Sequence, residues 1–360
     1  MSFRLIIQSN SPGELSTWVM PIVAAFRRLC TDGEVIVCLT PCQYASGKEK
    51  EIAEKIDGVT CVYSPKETIR LLLSWPFRDR ELKKGAVLYL GGDPMYSRFL
   101  SYRFGVPAFA YTEHKASPGK FFKRVFYKHL DGDLMASQVA GFYSSREEVL
   151  KKYQLEDRCY VLFFTGSRPH HVINYVSIIA EAVAEICKRD PLFSPLFLLS
   201  PFVDPGIMKE YPELNWVIGD SLELMSIASL LVTLPGSNTA LAMYMGLPTL
   251  MFVPLHKPEF LQFDGALGLL SNLPVVGLKL KQFLMSAFAK QHRFIALPNK
   301  HFNREVIPEI IGSPSAEEMA DSILDLYHDE DRLKKMRATL ETAKPSLHLA
   351  QAMVSALYKT

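Results

Sequence analysis

Tyr160-Val161-Leu162-Phe163-Phe164-Thr165-Gly166-Ser167-Arg168 is an apolar run that breaks into a small, polar turn. The chain opens in the same way. Arg4-Leu5-Ile6-Ile7-Gln8 leads into Ser9-Asn10-Ser11-Pro12-Gly13-Glu14-Leu15-Ser16, with a helix predicted from about Thr17. A buried strand, a turn of small residues and a helix make the first step of a Rossmann-like domain. Finding that step at the start and again near the middle predicts two α/β domains, not one.

The rest of the chain fits this plan. Further strands are predicted at Glu34–Leu39, Val59–Tyr63, Ala86–Leu90, Ala108–Tyr111 and Leu134–Ala136, then at Pro195–Leu199, Asn215–Val217, Leu230–Leu234 and Thr249–Val253. Helix-length stretches such as Val172–Lys188 and Ala316–His328 stand between them. This alternation predicts parallel, doubly wound sheets. The boundaries read as 1–157, 158–335 and a last helix within 336–360 that crosses back to the first domain. Open parallel sheets bind ligands at the carboxyl ends of their strands, which here are expected to face a shared cleft.

Composition narrows the function. The 360 residues exceed the usual single-domain size, and 48% hydrophobic with 22% charged is ordinary globular composition. A net charge of only +2 despite 40 Lys and Arg argues against a wholesale nucleic-acid binder while leaving room for local basic patches. The six cysteines are scattered, and Cys38 and Cys42 lack the second pair a zinc site needs, so free thiols in a reducing cytoplasm are expected. No apolar run approaches the ~20 residues of a membrane span.

Three turns of one kind carry the chemistry. The loop Ser9–Ser16, with Gly13 and Ser16, offers free N–H groups at a helix start to an anion or a hydroxyl-rich ligand; an ordinary capped turn is the other reading. It is not the dinucleotide pattern G-x-G-x-x-G. Thr165-Gly166-Ser167-Arg168 adds a guanidinium fork suited to phosphate. Leu234-Pro235-Gly236-Ser237-Asn238-Thr239-Ala240 brings hydroxyls, an amide and backbone donors together, as a diphosphate requires. Asp93, after Gly91-Gly92, reads either as a general base or as a turn residue before Pro94. Asp131-Gly132-Asp133 reads as a turn and not as a metal-binding D-x-D, so no metal is expected. Ile69–Lys84 and Lys120–Lys128 mix basic with apolar and aromatic residues. They suit an anionic membrane interface, or equally helices with one core face and one wet face.

In these motifs the chain resembles the lipid-A-disaccharide synthase family almost from end to end. The matching segments are Gly13-Glu14-Leu15-Ser16, Gly91-Gly92-Asp93, Thr165-Gly166-Ser167-Arg168, Gly236-Ser237-Asn238-Thr239 and Pro298-Asn299 followed by Arg304-Glu305-Val306-Ile307-Pro308-Glu309-Ile310-Ile311. The resemblance implies a GT-B fold and an inverting, metal-independent transfer of an acylated glucosamine. The donor would be a UDP-sugar, with no other cofactor, and the acceptor an acylated glucosamine phosphate. The enzyme would be cytoplasmic and peripheral on the inner membrane, with a homodimer left open. Asp93, with Glu14 or His114, would deprotonate the acceptor. Ser167, Arg168, Gly236, Ser237, Asn238, Thr239, Asn299, Arg304, Glu305 and Glu309 would hold the donor. The chain departs from the family where Thr17-Trp18 replace an aspartate and where Leu241-Ala242-Met243-Tyr244 lack an acidic residue. Two alternatives follow: a UDP-sugar 2-epimerase with the same double-Rossmann plan, and an inactive homologue that only binds sugar nucleotides.

Overall fold

The structure, a computed structural model, describes residues 3–42, 45–74, 84–166, 169–254 and 293–359. Six strands form the first sheet: β1 (Arg4–Ser9), β2 (Glu34–Leu39), β3 (Cys61–Tyr63), β4 (Gly85–Tyr89), β5 (Ala108–Thr112) and β6 (Arg124–Tyr127). Six more form the second: β7 (Tyr160–Phe164), β8 (Ser194–Leu199), β9 (Trp216–Ile218), β10 (Ala228–Thr233), β11 (Thr249–Pro254) and β12 (Glu309–Gly312). Their spatial orders are β3-β2-β1-β4-β5-β6 and β9-β8-β7-β10-β11-β12, with every pairing parallel. Each order reverses beside its own first strand, which is the doubly wound arrangement.

Parallel sheets are covered on both faces, so their strands read as continuous apolar runs. Leu5, Ile6 and Ile7 in β1, and all of β5 and β7, are buried accordingly. At ~1.5–3 kcal/mol per large apolar side chain, these runs drive the assembly of each sheet. In the second unit the helix Pro169–Arg189 packs on Ala316–His328, and Val172, Val176, Ala182 and Ile186 enter the core beside Phe163 and Phe197.

The chain divides into two compact units, Met1–Tyr143 with Lys344–Thr360, and Ser144–Ala343. The helix Arg146–Tyr153, placed by sequence before the 157/158 boundary, belongs to the second unit. There Arg146 donates to the carbonyl of Ile227 and Lys152 pairs with Glu223. The last helix, His348–Tyr358, packs in the first unit on the helices Met20–Leu29 and Leu134–Gly141, and Tyr358 meets Phe3 at 5.1 Å.

Three elements differ from expectation: β12 (Glu309–Gly312), which no predicted strand covers, and two in the first unit. Leu134–Ala136 is not a strand but opens the helix Leu134–Gly141, capped by Asp133, whose carboxylate accepts from the Met135 N–H at 2.9 Å. A short buried apolar run fits strand and helix alike, and Leu, Met and Ala favour the helix. The strand missing from the first sheet is β6, inside the stretch Lys120–Lys128. Its aromatics are turned inward: Phe122 and Phe126 are buried, and Phe122 lies 5.7 Å from Tyr89. That stretch therefore has buried aromatics in the core and a basic rim. In the other stretch residues 75–83 lie outside the described residues, while Leu71 and Leu72 pack on the first core and Leu73 is exposed. No described helix is long and apolar enough to cross a membrane.

Candidate active site

At the carboxyl edge of the first sheet the chain leaves β1 through Ser9-Asn10-Ser11 into a short helical turn, Pro12–Glu14, closed by a capping box between Ser11 and Glu14. One oxygen of Glu14 accepts from Ser9 Oγ (3.0 Å), Asn10 N (2.9 Å) and Ser11 N (3.3 Å). Its carboxyl lies against Gly91, where an added Cβ would come within 2.1 Å of it. Burial raises the pKa of this carboxyl, outweighing the hydrogen bonds that favour its charged form. Gly13 and Ser16 stand in the same turn. The Ser16 hydroxyl donates back to the carbonyls of Pro12 and Gly13, so it holds the turn.

Asp93 ends the turn that follows β4. It is exposed, accepts from the Met95 N–H at 2.9 Å, and so caps the helix Pro94–Phe104. The two readings of Asp93 are compatible: one oxygen caps the helix while the residue stays open to solvent. It lines a cavity of about 810 Å³ together with Leu72, Met95, Phe99 and Tyr102. Tyr89 belongs here too, although sequence reasoning passed over it. Its hydroxyl donates to the carbonyl of Gly92 at 2.9 Å. Its pKa is pushed up to about 12 by burial and then by the charges of Glu14 and Asp93, so both carboxyl groups bear on this one phenol.

His114 follows β5 and is exposed; its backbone N–H donates to Thr112 Oγ1. Its neighbour Glu113 pairs with Lys128 at 2.6 Å, and Lys128 also meets Asp133 at 3.1 Å. Burial opposes the charge on Lys128, but the two carboxylates outweigh it and hold its pKa high. Asp131 accepts from the Tyr127 N–H and faces Arg124. Both aspartates of the D-x-D are thus engaged in the protein itself, and no group of metal-ligating side chains stands among the described residues.

In the second unit Gly236 joins β10 to the helix Ser237–Tyr244, with φ 156° and ψ −172°. That conformation belongs to glycine. Among the described residues no side chain caps this helix, and Gly236 has open space where a Cβ would stand. Ser237 and Asn238 are half-buried at the helix start. Thr239 is fully buried and donates its hydroxyl to the carbonyl of Gly236 at 2.9 Å, shaping the loop from beneath. Ser167 and Arg168 lie outside the described residues.

Asn299 and Glu309 form a clasp. Buried Asn299 accepts from the N–H groups of Val306 (2.7 Å) and Ile307 (3.0 Å), and donates to the carbonyl of Ile307 and to Glu309. Glu309 also accepts from the N–H groups of Ile295 and Ala296. Their polar atoms are taken up in closing the loop ahead of β12, which departs from the donor-binding role the resemblance implied. Arg304 and Glu305 are exposed, and neither makes an ion pair among the described residues.

No protein-family model and no curated protein matches the chain. Solved structures match it in fold. A putative UDP-N-acetylglucosamine 2-epimerase from Listeria monocytogenes has a TM-score of 0.57 at 13% identity, covering 99% of this chain and 96% of that one. The UDP-GlcNAc 2-epimerase of Neisseria meningitidis, bound to UDP-GlcNAc, gives 0.54 at 13% identity over the whole of both chains. Anabaena HepE in complex with UDP-glucose gives 0.51 at 12% identity over 99% of each. At such identities the likeness shows the fold, two Rossmann-like domains of the GT-B class. It also corrects the transferase expectation. UDP-GlcNAc 2-epimerases recur among these end-to-end matches and none of the three is a lipid-A-disaccharide synthase, so the expectation of a glucosamine transferase is not carried further.

Proposed function

We propose that the chain is a UDP-sugar 2-epimerase acting on a UDP-N-acetylhexosamine. The observation that carries this is the placement of two carboxyl groups at one turn on the carboxyl edge of the first sheet, Glu14 seated against Gly91 and Asp93 two residues further along as the cap of the next helix. The end-to-end fold likeness to 2-epimerases supports it.

Inverting C2 of such a sugar requires a proton to leave one face and return to the other. No carbonyl in the ring acidifies C2–H, so its loss is coupled to departure of UDP from C1. The C2–H and C1–O bonds break, C1=C2 forms, and the proton goes to a carboxylate. In the return step the diphosphate oxygen attacks C1, and a carboxylic acid protonates C2 on the opposite face. A base and an acid are needed together. Asp93, open to solvent, suits the base, and Glu14, whose neutral form burial favours, suits the acid. The free amides at Ser237 and Asn238, with Arg168, would hold the diphosphate and favour its departure as an anion. The reaction balances with no cofactor beyond the UDP-sugar.

The test is incubation with UDP-GlcNAc in deuterated water, without any acceptor. The manno epimer should appear, with deuterium at C2 in both epimers. Absence of both products would end the epimerase reading. The inactive-homologue alternative retains one supporting observation: Leu241, Ala242 and Met243, where the resembling family carries an acidic residue, are buried and offer no carboxylate. A thermal shift with UDP-GlcNAc in the absence of deuterium incorporation would select that reading.

A further inference from the structure

Each carbonyl of Gly91-Gly92-Asp93, the turn before the Pro94 helix, is held by a side chain. Gln8, the last residue but one of β1 and fully buried, donates its amide to the carbonyls of Gly91 (2.8 Å) and Asp93 (2.9 Å). Tyr89 takes the carbonyl between them. Gln8 is itself fixed, because its side-chain oxygen accepts from the hydroxyl of fully buried Ser97 at 2.5 Å. Ser97 lies one turn into the helix that Asp93 caps, so the network closes on itself: β1 to the turn, the turn to the helix, the helix back to β1. The turn also has little room to shift. Gly92 sits at φ +85°, where a Cβ would come within 2.5 Å of Thr40 Oγ1, and Gly91 is seated on Glu14.

A buried polar residue in a core strand is tolerated only when its hydrogen bonds are met. Gln8 meets them by gripping the backbone at Gly91 and at exposed Asp93. We infer that Gln8, fixed by Ser97, is a positioning residue that holds the Asp93 carboxylate at its catalytic angle; this rests on the epimerase reading given above. Gln8 touches no reacting atom. Its effect passes through the Asp93 backbone and the start of the helix.

Two variants test this. Gln8→Glu keeps the shape and the acceptor for Ser97 but removes the N–H donors to both carbonyls. Ser97→Ala frees the Gln8 amide to rotate and leaves the strand intact. Both are expected to lower kcat by roughly 10- to 100-fold, the scale of a small misplacement of a reacting group. KM for UDP-GlcNAc and Kd for UDP should stay within about two-fold of the parent. In the ligand-free protein, hydrogen exchange at the Met95 and Tyr96 amides should speed up while the amides of β1 and β4 stay protected. Unchanged exchange and unchanged kcat in both variants would overturn the clamp. So would a loss of kcat matched by an equal rise in the Kd for UDP, which marks a general structural role. If the parent itself does not epimerise, the functional reading falls, and the exchange measurement still decides whether Gln8 grips the turn.

Discussion

The turn at Gly91-Gly92-Asp93 and the loop at Gly236-Ser237-Asn238 are built alike, each a glycine-bearing break between a strand and a helix at the carboxyl edge of a parallel sheet. They are held in opposite ways. The first is gripped by side chains from β1 and β4, with Ser97 of its own helix fixing Gln8, and it is crowded by Glu14 and Thr40. Among the described residues the second is tied only to its own helix through Thr239, and around Gly236 there is open space. A turn gripped at each carbonyl can present a side chain at a fixed angle, which proton transfer needs. A helix start with free amides and room in front can receive a diphosphate, which needs donors more than a fixed angle. On the proposed reading, the same local motif would serve chemistry in one unit and binding in the other.

The sharpest way to break this comparison is to change the side chain the gripped turn presents. Asp93→Asn keeps the helix cap, since Asn caps about as well as Asp, so stability should hardly move. Turnover should fall by about 10²- to 10⁴-fold as the base is lost. Ser237→Ala in the open loop should raise KM instead and leave kcat within a few-fold. Full turnover in the Asp93 variant would remove Asp93 from the mechanism and erase the distinction between the two regions.

The glycines come next. Gly91→Ala forces a methyl into the Glu14 carboxyl, and overpacking of this kind costs about 1–3 kcal/mol. Gly236→Ala meets no atom, but its backbone conformation disfavours any side chain, again by about 1–3 kcal/mol. The magnitudes overlap, and the mechanisms separate on a second substitution. Adding Glu14→Ala should relieve much of the Gly91→Ala loss, a coupling seen as non-additive urea midpoints. No partner substitution should rescue Gly236→Ala. Strict additivity at Gly91 and Glu14 would mean that the turn is not seated on that carboxyl.

Much of this was legible in the sequence, for physical reasons. Strands buried on both faces announce themselves as apolar runs, so nearly every strand and the two-sheet plan could be read directly. Leu134–Ala136 and β6 were exchanged because a short apolar run does not distinguish strand from helix, and because an edge strand wrapped in lysines reads as surface. At the site, turn residues such as Glu14, Asp93 and Gly236 stand out by type and position. Gln8 does not. Its one signal is a polar residue inside an apolar strand, and only the carbonyls facing it reveal its purpose. Asn299 and Glu309 show the converse, since a recognisable run of residues proved to be closing a loop by hydrogen bonds that sequence cannot display.

The smallest expected effect concerns Glu14 and pH. Burial raises the pKa of its carboxyl above the ordinary 4.5 in the folded protein. The unfolded chain therefore ionises this group first as pH rises, and the folded state is left binding the extra proton. The stability that protonated Glu14 contributes is fully present below about pH 4.5 and is lost as pH climbs through the folded value. Glu14→Gln has no proton to lose, so its stability should not carry this decline. The parent's stability minus the variant's, from urea midpoints, should thus fall between pH 4 and pH 7. A difference that stays flat would mean the carboxyl is not desolvated. One that grows with pH would mean that the donors at Ser9, Asn10 and Ser11 outweigh burial and keep Glu14 charged, leaving the gripped turn without its acid.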